Sequence, residues 1–155
     1  MSKLGTIQIK ETDKVYITDP GYKDGTWCQA RINMLPGLYK IYYYTTNDGT
    51  ISSFKLVHSN INNKNLNFIS LDYIGVDAGL CGMFLNKPNY TNEEWIDICT
   101  YLERAPYPTA LKVTKESPFK CEGFVTSSGY GDGCYSALLG VDTEGNIISC
   151  KVKFL

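Results

Sequence analysis

Hydrophobic and polar residues alternate along much of the chain, and this period of two predicts β-strands. Residues 6–10 alternate cleanly at the start of the chain. Near its end, the apolar positions 148, 150, 152 and 154 alternate with Ser149, Lys151 and Lys153. A strand of this kind has one buried face and one face in water. The pattern therefore predicts a sheet that covers a hydrophobic core on one side.

Two pairs of such segments are separated by turn residues and predict long β-hairpins. Residues 37–44 lead into an Asn-Asp-Gly sequence at 47–49, which favours a tight turn, and residues 51–58 return. Residues 135–141 and 147–154 form the second pair, with a polar, glycine-containing turn between them. Both hairpins rest on local turn chemistry, so the sequence predicts antiparallel pairing at these two places.

The middle of the chain is also β-like, but glycine and asparagine interrupt it. Residues 15–18 predict a short strand that stops at an Asp-Pro-Gly turn. An Asn-rich segment, residues 59–67, predicts an exposed loop. Residues 66–84 are β-like, with glycines at 75, 79 and 82 that indicate bulges or a close approach by another backbone. Residues 111–113 and 119–126 predict two more short strands.

One helix is predicted over residues 91–104. Thr91 and Glu94 have the spacing of a capping box, in which each side chain bonds a free amide at the helix start. Tyr90 and Trp95 are placed to form a hydrophobic staple around that box. Apolar residues then recur at helical spacing and predict a face packed on a sheet: Trp95, Ile98, Cys99 and Leu102. Prolines at 106 and 108 end the helix.

These elements predict a mainly β fold of the α+β class. We expect an antiparallel sandwich or an open barrel with two long hairpins and one packed amphipathic helix. A parallel sheet is disfavoured, because one helix cannot supply the crossovers that parallel strands need. No repeat, linker or low-complexity tract divides the chain, so residues 1–155 are predicted to form a single domain.

Composition and charge narrow the range of partners. The 155 residues are 43% hydrophobic and 20% charged, which is ordinary for a folded domain. The formal net charge is −1, so we expect neither a nucleic acid nor a membrane partner. No apolar run resembles a membrane span or the core of a signal peptide. We therefore expect a cytoplasmic protein.

Cysteine and histidine offer little catalytic or metal-binding chemistry. The six cysteines include no C-x-x-C pair, so we expect them to be reduced and mostly buried, with no metal site. His58 is the single histidine, and no motif places a Ser or Cys nucleophile with it. The sequence therefore favours a non-enzymatic protein without a cofactor, although it leaves enzymatic activity open.

Three turns that contain aspartate are the candidate functional segments. The third, residues 127–135, has glycine at every second position from 129 to 133. That segment is either a structural bulge or part of a ligand pocket, because closely spaced glycines free backbone amides to face a ligand. The predicted ligand-binding residues are Asp19, Tyr22, Trp27, Asp77, Ser127, Ser128, Gly129, Tyr130, Gly131, Asp132, Gly133 and Tyr135.

The three aspartates allow a second interpretation. If Asp19, Asp77 and Asp132 converge, they could bind a hard cation, or divide into the acid and base of a hydrolase. This alternative hypothesis is a carboxylate- or metal-dependent hydrolase. A third hypothesis is a structural protein that forms a homo-oligomer through close packing of its glycine-rich strands.

The order of three segments carries a resemblance: Asp-Pro-x-Tyr from Asp19, Gly-Val-Asp-x-Gly from Gly75, and Ser-Gly-Tyr-Gly-Asp-Gly-x-Tyr from Ser128. Together they resemble a family of small uncharacterised proteins of bacteria and bacteriophages. The sequence departs from the family pattern at Gly21, Ala78 and Cys134. The resemblance implies a phage or prophage accessory protein in a bacterial host cell, which binds a host protein or sequesters a small ligand, for example to counter a defence system.

Overall fold

The computed structural model describes residues 1–60 and 65–155, and within them the chain forms eleven strands and one helix. The Asn-rich loop predicted for residues 59–67 includes residues 61–64, which lie outside the described residues. The elements are β1 (Ser2–Ile9), β2 (Val15–Thr18), β3 (Ala30–Ile32), β4 (Gly37–Thr45), β5 (Ile51–His58), β6 (Asn67–Val76), β7 (Leu80–Leu85), α1 (Asn92–Glu103), β8 (Ala110–Val113), β9 (Gly123–Ser127), β10 (Gly133–Val141) and β11 (Ile147–Lys153).

The strands form two antiparallel sheets. The six-stranded sheet has the order β1-β4-β5-β11-β10-β6, and the five-stranded sheet has the order β3-β2-β7-β9-β8. The predicted mainly β fold is confirmed, with a sandwich of two sheets. Both predicted hairpins are confirmed as β4–β5 and β10–β11.

The hydrophobic core lies between the two sheets. Alternate residues of β4, β5 and β11 face inward, and the side chains of Tyr39, Ile41 and Phe54 are completely buried. Phe54 of the six-stranded sheet meets Phe124 of the five-stranded sheet edge to face, with ring centroids 5.0 Å apart. This contact joins the inner faces of the two sheets, as expected from the alternating pattern.

Helix α1 packs on the other face of the five-stranded sheet. The capping box is confirmed: the Glu94 amide donates to Thr91 Oγ1 at 3.2 Å, and the Thr91 amide donates to Glu94 Oε1 at 3.0 Å. Of the predicted apolar stripe, Ile98 is fully buried in a second cluster, and Trp95 and Leu102 pack against that cluster half-buried. The helix therefore covers a small core of its own.

Two features of the sheets were not predicted in detail. Strand β3 has only three residues and carried no clear pattern. The long β-like stretch divides into β6 and β7, because residues 77–79 form a turn with Gly79 in the left-handed region at φ +67°. The predicted close approach is confirmed at Gly82, where an added Cβ would lie 2.1 Å from the backbone oxygen of Phe124.

All six cysteines are free. Within residues 1–60 and 65–155, no helix is long and apolar enough to cross a membrane.

Candidate functional site

The turn between β6 and β7 is held by carboxylates from two other loops. Asp19 Oδ2 accepts hydrogen bonds from the backbone amides of Asp77 and Ala78, both at 2.8 Å. Asp132 Oδ1 accepts from the next amide, that of Gly79, at 2.9 Å. Consecutive amides of this kind form a nest that attracts anions. Here the nest is filled by the chain's own aspartates, which fixes the turn in place.

Asp19 is the most constrained of the three aspartates. It follows the last residue of β2, is only 1% exposed, and accepts a third hydrogen bond from the Gly21 amide at 2.8 Å. A buried carboxylate is costly unless hydrogen bonds replace its water. The three amides supply that replacement, so Asp19 acts as a structural anchor between the 19–21 turn and the 77–79 turn.

Asp77 points its side chain away from its own turn. Its Oδ2 accepts a hydrogen bond from the Tyr22 hydroxyl at 2.8 Å, and the residue is exposed. Burial, followed by the hydrogen bond to Asp77, raises the pKa of Tyr22. Tyr22 therefore stays protonated, and its hydroxyl donates a hydrogen bond to the Asp77 carboxylate. Within the described residues, Asp77 Oδ1 has no hydrogen-bond partner.

A cavity of about 300 Å³ lies between these turns and the start of helix α1. Its polar rim includes Asp19 and Asp77, and its aromatic walls are Tyr22, Tyr90 and Trp95. The three aromatic residues are half-buried, so each is partly open to solvent. Pockets for small molecules have this combination of apolar walls and a few fixed polar groups.

Gly21 keeps the floor of this cavity open. A Cβ at this position would lie 3.2 Å from Trp95 Cη2 and 3.3 Å from Asp19 Oδ1. Because no side chain is present, the edge of the indole ring rests directly over the 19–21 turn. A larger residue at position 21 would have to push the indole aside or fill the space beneath it.

Lys87 is buried next to two of the cavity residues, Tyr22 and Tyr90. It is 8% exposed, and its Nζ donates to the backbone oxygens of Tyr22 at 2.8 Å and Pro88 at 3.2 Å. The same Nζ lies 4.7 Å from the centroid of the Tyr90 ring. Burial lowers the pKa of Lys87 to about 8. Sequence reasoning missed this residue, because a single lysine before a proline carries no motif.

The glycine-rich loop is occupied by its own hydrogen bonds. The Ser128 hydroxyl and the Tyr135 hydroxyl both donate to the Gly131 oxygen, at 2.9 Å and 2.6 Å. Ser127 Oγ accepts from the Thr109 amide at 2.8 Å. These contacts support the interpretation of the segment as a structural bulge. The aspartate of this segment, Asp132, accepts a hydrogen bond from the Gly79 amide of the neighbouring turn, however, and accepts none from the amides of its own turn.

The structure divides the predicted ligand-binding residues into three groups. Asp19, Tyr22 and Asp77 line the cavity. Asp132 reaches the same region only through the Gly79 amide. The remaining predicted residues lie outside the cavity lining, and they are Trp27, Ser127, Ser128, Gly129, Tyr130, Gly131, Gly133 and Tyr135.

Tyr90 and Trp95 are cavity residues that sequence reasoning assigned elsewhere. Both were assigned to the hydrophobic staple at the helix start, and they do pack against the small core under α1. Their position in the chain could not show that one part of each ring also lines a cavity. The capping box is the signal that could have found them. It marks where the helix begins, and the start of the helix borders the cavity.

The described residues form no cluster of side chains suited to a metal ion. Across residues 1–60 and 65–155, no three His, Cys, Asp or Glu side chains are grouped to hold a metal ion. The three aspartates surround one turn, but two of them direct oxygens at backbone amides. This arrangement organises a loop.

Comparison of the chain with protein-family models, curated proteins and solved structures found no match.

Proposed function

We propose that this chain is a non-enzymatic binding protein that holds a small ligand in the cavity beside Trp95. The observation that carries the proposal is the cavity of about 300 Å³, with three aromatic walls and a rim fixed by a buried carboxylate. A rim that is already ordered does not lose conformational freedom when a ligand binds. The Asp19 anchor therefore favours binding.

The lining indicates what kind of ligand fits. Trp95 and Tyr90 offer ring surfaces that favour a flat or apolar group. The Asp77 carboxylate accepts one hydrogen bond from the Tyr22 hydroxyl, and it can accept a further hydrogen bond from an N–H or O–H group of a ligand. We therefore propose a small molecule with a ring and at least one hydrogen-bond donor.

A host protein is the second candidate partner, and exposed aromatic rings favour it. Trp27 is 78% exposed, Tyr107 82% and Tyr130 78%. Trp27 precedes β3, Tyr107 precedes β8 and Tyr130 follows β9. The antiparallel order places these three strand ends at the same end of the five-stranded sheet. Tryptophan and tyrosine dominate the binding energy of many protein interfaces. This end of the sheet is where a protein partner would bind.

The hydrolase hypothesis has less support. Asp19 directs both oxygens at backbone amides, and Asp132 does not line the cavity. The resemblance to phage and bacterial proteins supplies the proposed setting, a bacterial host cell in which the bound ligand or protein belongs to the host. An action against host defence remains part of this proposal.

Native mass spectrometry of the protein, purified gently from bacterial cells, tests the cavity. We expect a discrete extra mass on the wild type that Gly21→Val removes, because the valine side chain fills the cavity floor. Gly133→Val is the matched control: its Cβ would meet the Tyr135 hydroxyl at 3.1 Å, a contact as close as that at Gly21. Loss of the extra mass in Gly133→Val but not in Gly21→Val would place the ligand at the glycine-rich loop and refute the proposal.

A further inference from the structure

The outer face of the six-stranded sheet carries a concentration of lysine. In β4 the side chains of Tyr39 and Ile41 are buried in the core, so Lys40, Tyr42 and Tyr44 point outward by strand alternation. Leu56 and Cys150 are buried in the same way in β5 and β11. Their neighbours Lys55 and Lys151 therefore lie on the outer face.

Strand register brings Tyr42, Lys55 and Lys151 into one row with Lys3. Lys3 pairs with Tyr42, Tyr42 with Lys55, and Lys55 with Lys151, across β1, β4, β5 and β11. Residues paired directly in antiparallel strands share a face of the sheet. The row spans four strands, about 14 Å at the usual strand spacing. We call the outer side of these four strands the lysine face.

The lysine face has no acidic counterpart. The four strands contain five lysines and no aspartate or glutamate, the fifth lysine being Lys153. The ion pairs found in residues 1–60 and 65–155 join Arg31 to Asp24 and Lys120 to Glu94, and neither lies on this face. Asp72 of β6 lies two strands beyond, where it accepts a hydrogen bond from Ser136, the β10 residue that pairs with Lys153. The four strands themselves thus form a positive face on a chain of net charge −1.

Two tyrosines interrupt the lysines. Tyr42 and Tyr44 are half-exposed on the outer side of β4, and Lys151 Nζ lies 5.2 Å from the centroid of the Tyr44 ring. A shallow groove of about 300 Å³ runs between Lys40, Tyr42, Tyr44 and Lys55. Lys151 covers one face of the Tyr44 ring, so the groove offers the Tyr42 ring and the other face of Tyr44 next to the lysines.

We propose that the lysine face binds single-stranded nucleic acid. The lysines contact phosphates, and the two tyrosine rings stack on unpaired bases, which is how open sheets with aromatic residues bind single strands. A duplex hides its base faces and would leave the tyrosines without a role. Charge complementarity between lysines and phosphates favours this partner. The net charge of −1 predicted no nucleic acid partner, because net charge averages over all surfaces of the protein. This site lies on the opposite sheet from the cavity beside Trp95 and does not depend on it.

Fluorescence anisotropy with a labelled oligo(dT) or oligo(U) of about 20 nucleotides tests the proposal with the full chain. We expect binding at about 50 mM salt that weakens steeply as salt is added, since bound lysines release counterions. Lys40→Ala, Lys55→Ala and Lys151→Ala together should reduce the slope of log K against log salt by about 2, at roughly 0.7 for each phosphate that a lysine no longer neutralises. The matched control removes the same charge from the exposed Lys10, Lys14 and Lys115 and should leave that slope unchanged.

Stacking has a separate signature. Tyr42→Ala and Tyr44→Ala should each weaken binding about fivefold or more and leave the salt dependence intact. An abasic oligonucleotide of the same length should bind the wild type at least as weakly as either variant binds the normal strand, because it lacks every base on which the two tyrosines stack. Thermal melts of every variant check that the fold is retained.

Four results would overturn the proposal. They are absence of binding by the wild type at low salt, equal weakening in the control lysine variant, equal binding of the abasic strand, and tighter binding to vesicles of phosphatidylcholine with phosphatidylserine than to the oligonucleotide. The last result would assign the lysine face to an anionic membrane surface.

Discussion

Replacement of Asp19 by alanine should destabilise the fold more than any other single change among the candidate site residues. Asp19 is 1% exposed and accepts hydrogen bonds from the amides of Gly21, Asp77 and Ala78, each at 2.8 Å. Each hydrogen bond to a charged group contributes roughly 1.5–3 kcal/mol. The three bonds share one carboxylate, and their donors belong to exposed residues that water can reach in the variant. The expected loss is therefore about 3 kcal/mol or somewhat more, below the simple sum.

Urea denaturation followed by tryptophan fluorescence measures this loss. The midpoint should fall while the slope of the free energy of unfolding against urea stays the same, because the variant exposes a similar surface when it unfolds. Asp132→Ala is the matched control, since it removes one hydrogen bond to the same turn from an exposed carboxylate. Its midpoint should change far less.

An equal shift of the midpoint in Asp19→Ala and Asp132→Ala would refute the reasoning, because burial and bond number would then have no effect. Asp19→Asn gives an intermediate case. An amide has one oxygen and one NH₂ group, so it can replace the bond to Gly21 or the pair to Asp77 and Ala78, but not both. A stability equal to that of the wild type in this variant would show that the two turns are not linked through Asp19.

Three further predictions concern the core, the lysine behind the cavity and the two tryptophans. Gly82→Ala should destabilise the fold by about 3 kcal/mol or prevent folding, because its Cβ would lie 2.1 Å from the Phe124 oxygen, and a thermal melt measures this. Wild type should gain stability relative to Lys87→Met between pH 8 and about 10 in urea denaturation, since Lys87 releases its proton near pH 8 when folded but near 10.5 when unfolded. A pH-independent difference would contradict the lowered pKa. In Trp27→Phe all indole emission comes from Trp95, and acrylamide should quench it less than it quenches Trp27 in Trp95→Phe, because Trp27 is 78% exposed and Trp95 is half-buried; equal quenching would contradict the position of Trp95 against Gly21.

Part of the candidate site could be predicted from the sequence, because its residues sit in turns with recognisable chemistry. The Asp-Pro-Gly turn at 19–21 and the Gly-Val-Asp-x-Gly segment at 75–79 drew attention to Asp19, Tyr22 and Asp77, and all three line the cavity. The bonds between the two turns were beyond prediction, since residues 58 positions apart meet only when β2 and β7 pair. Lys87 was missed for the same reason.

The local structure follows from signals between residues that are close in sequence. The capping box at Thr91 and Glu94, the turn residues at 47–49 and the alternation in the last strand each depend on neighbours within a few positions. Such signals act through backbone geometry and burial on one face, so they predict the helix, the two hairpins and the mainly β fold without any knowledge of distant contacts.

The tertiary structure alone decided which side chains share a surface. Lys3, Lys40, Lys55 and Lys151 are spread over most of the chain, and only the strand order and register place them on one face. The acidic residues lie outside these four strands, so they cancel the lysine charges in the sum but not in space. Net charge is a property of composition, whereas an electrostatic surface depends on distance, and distance is fixed only when non-local strands pair.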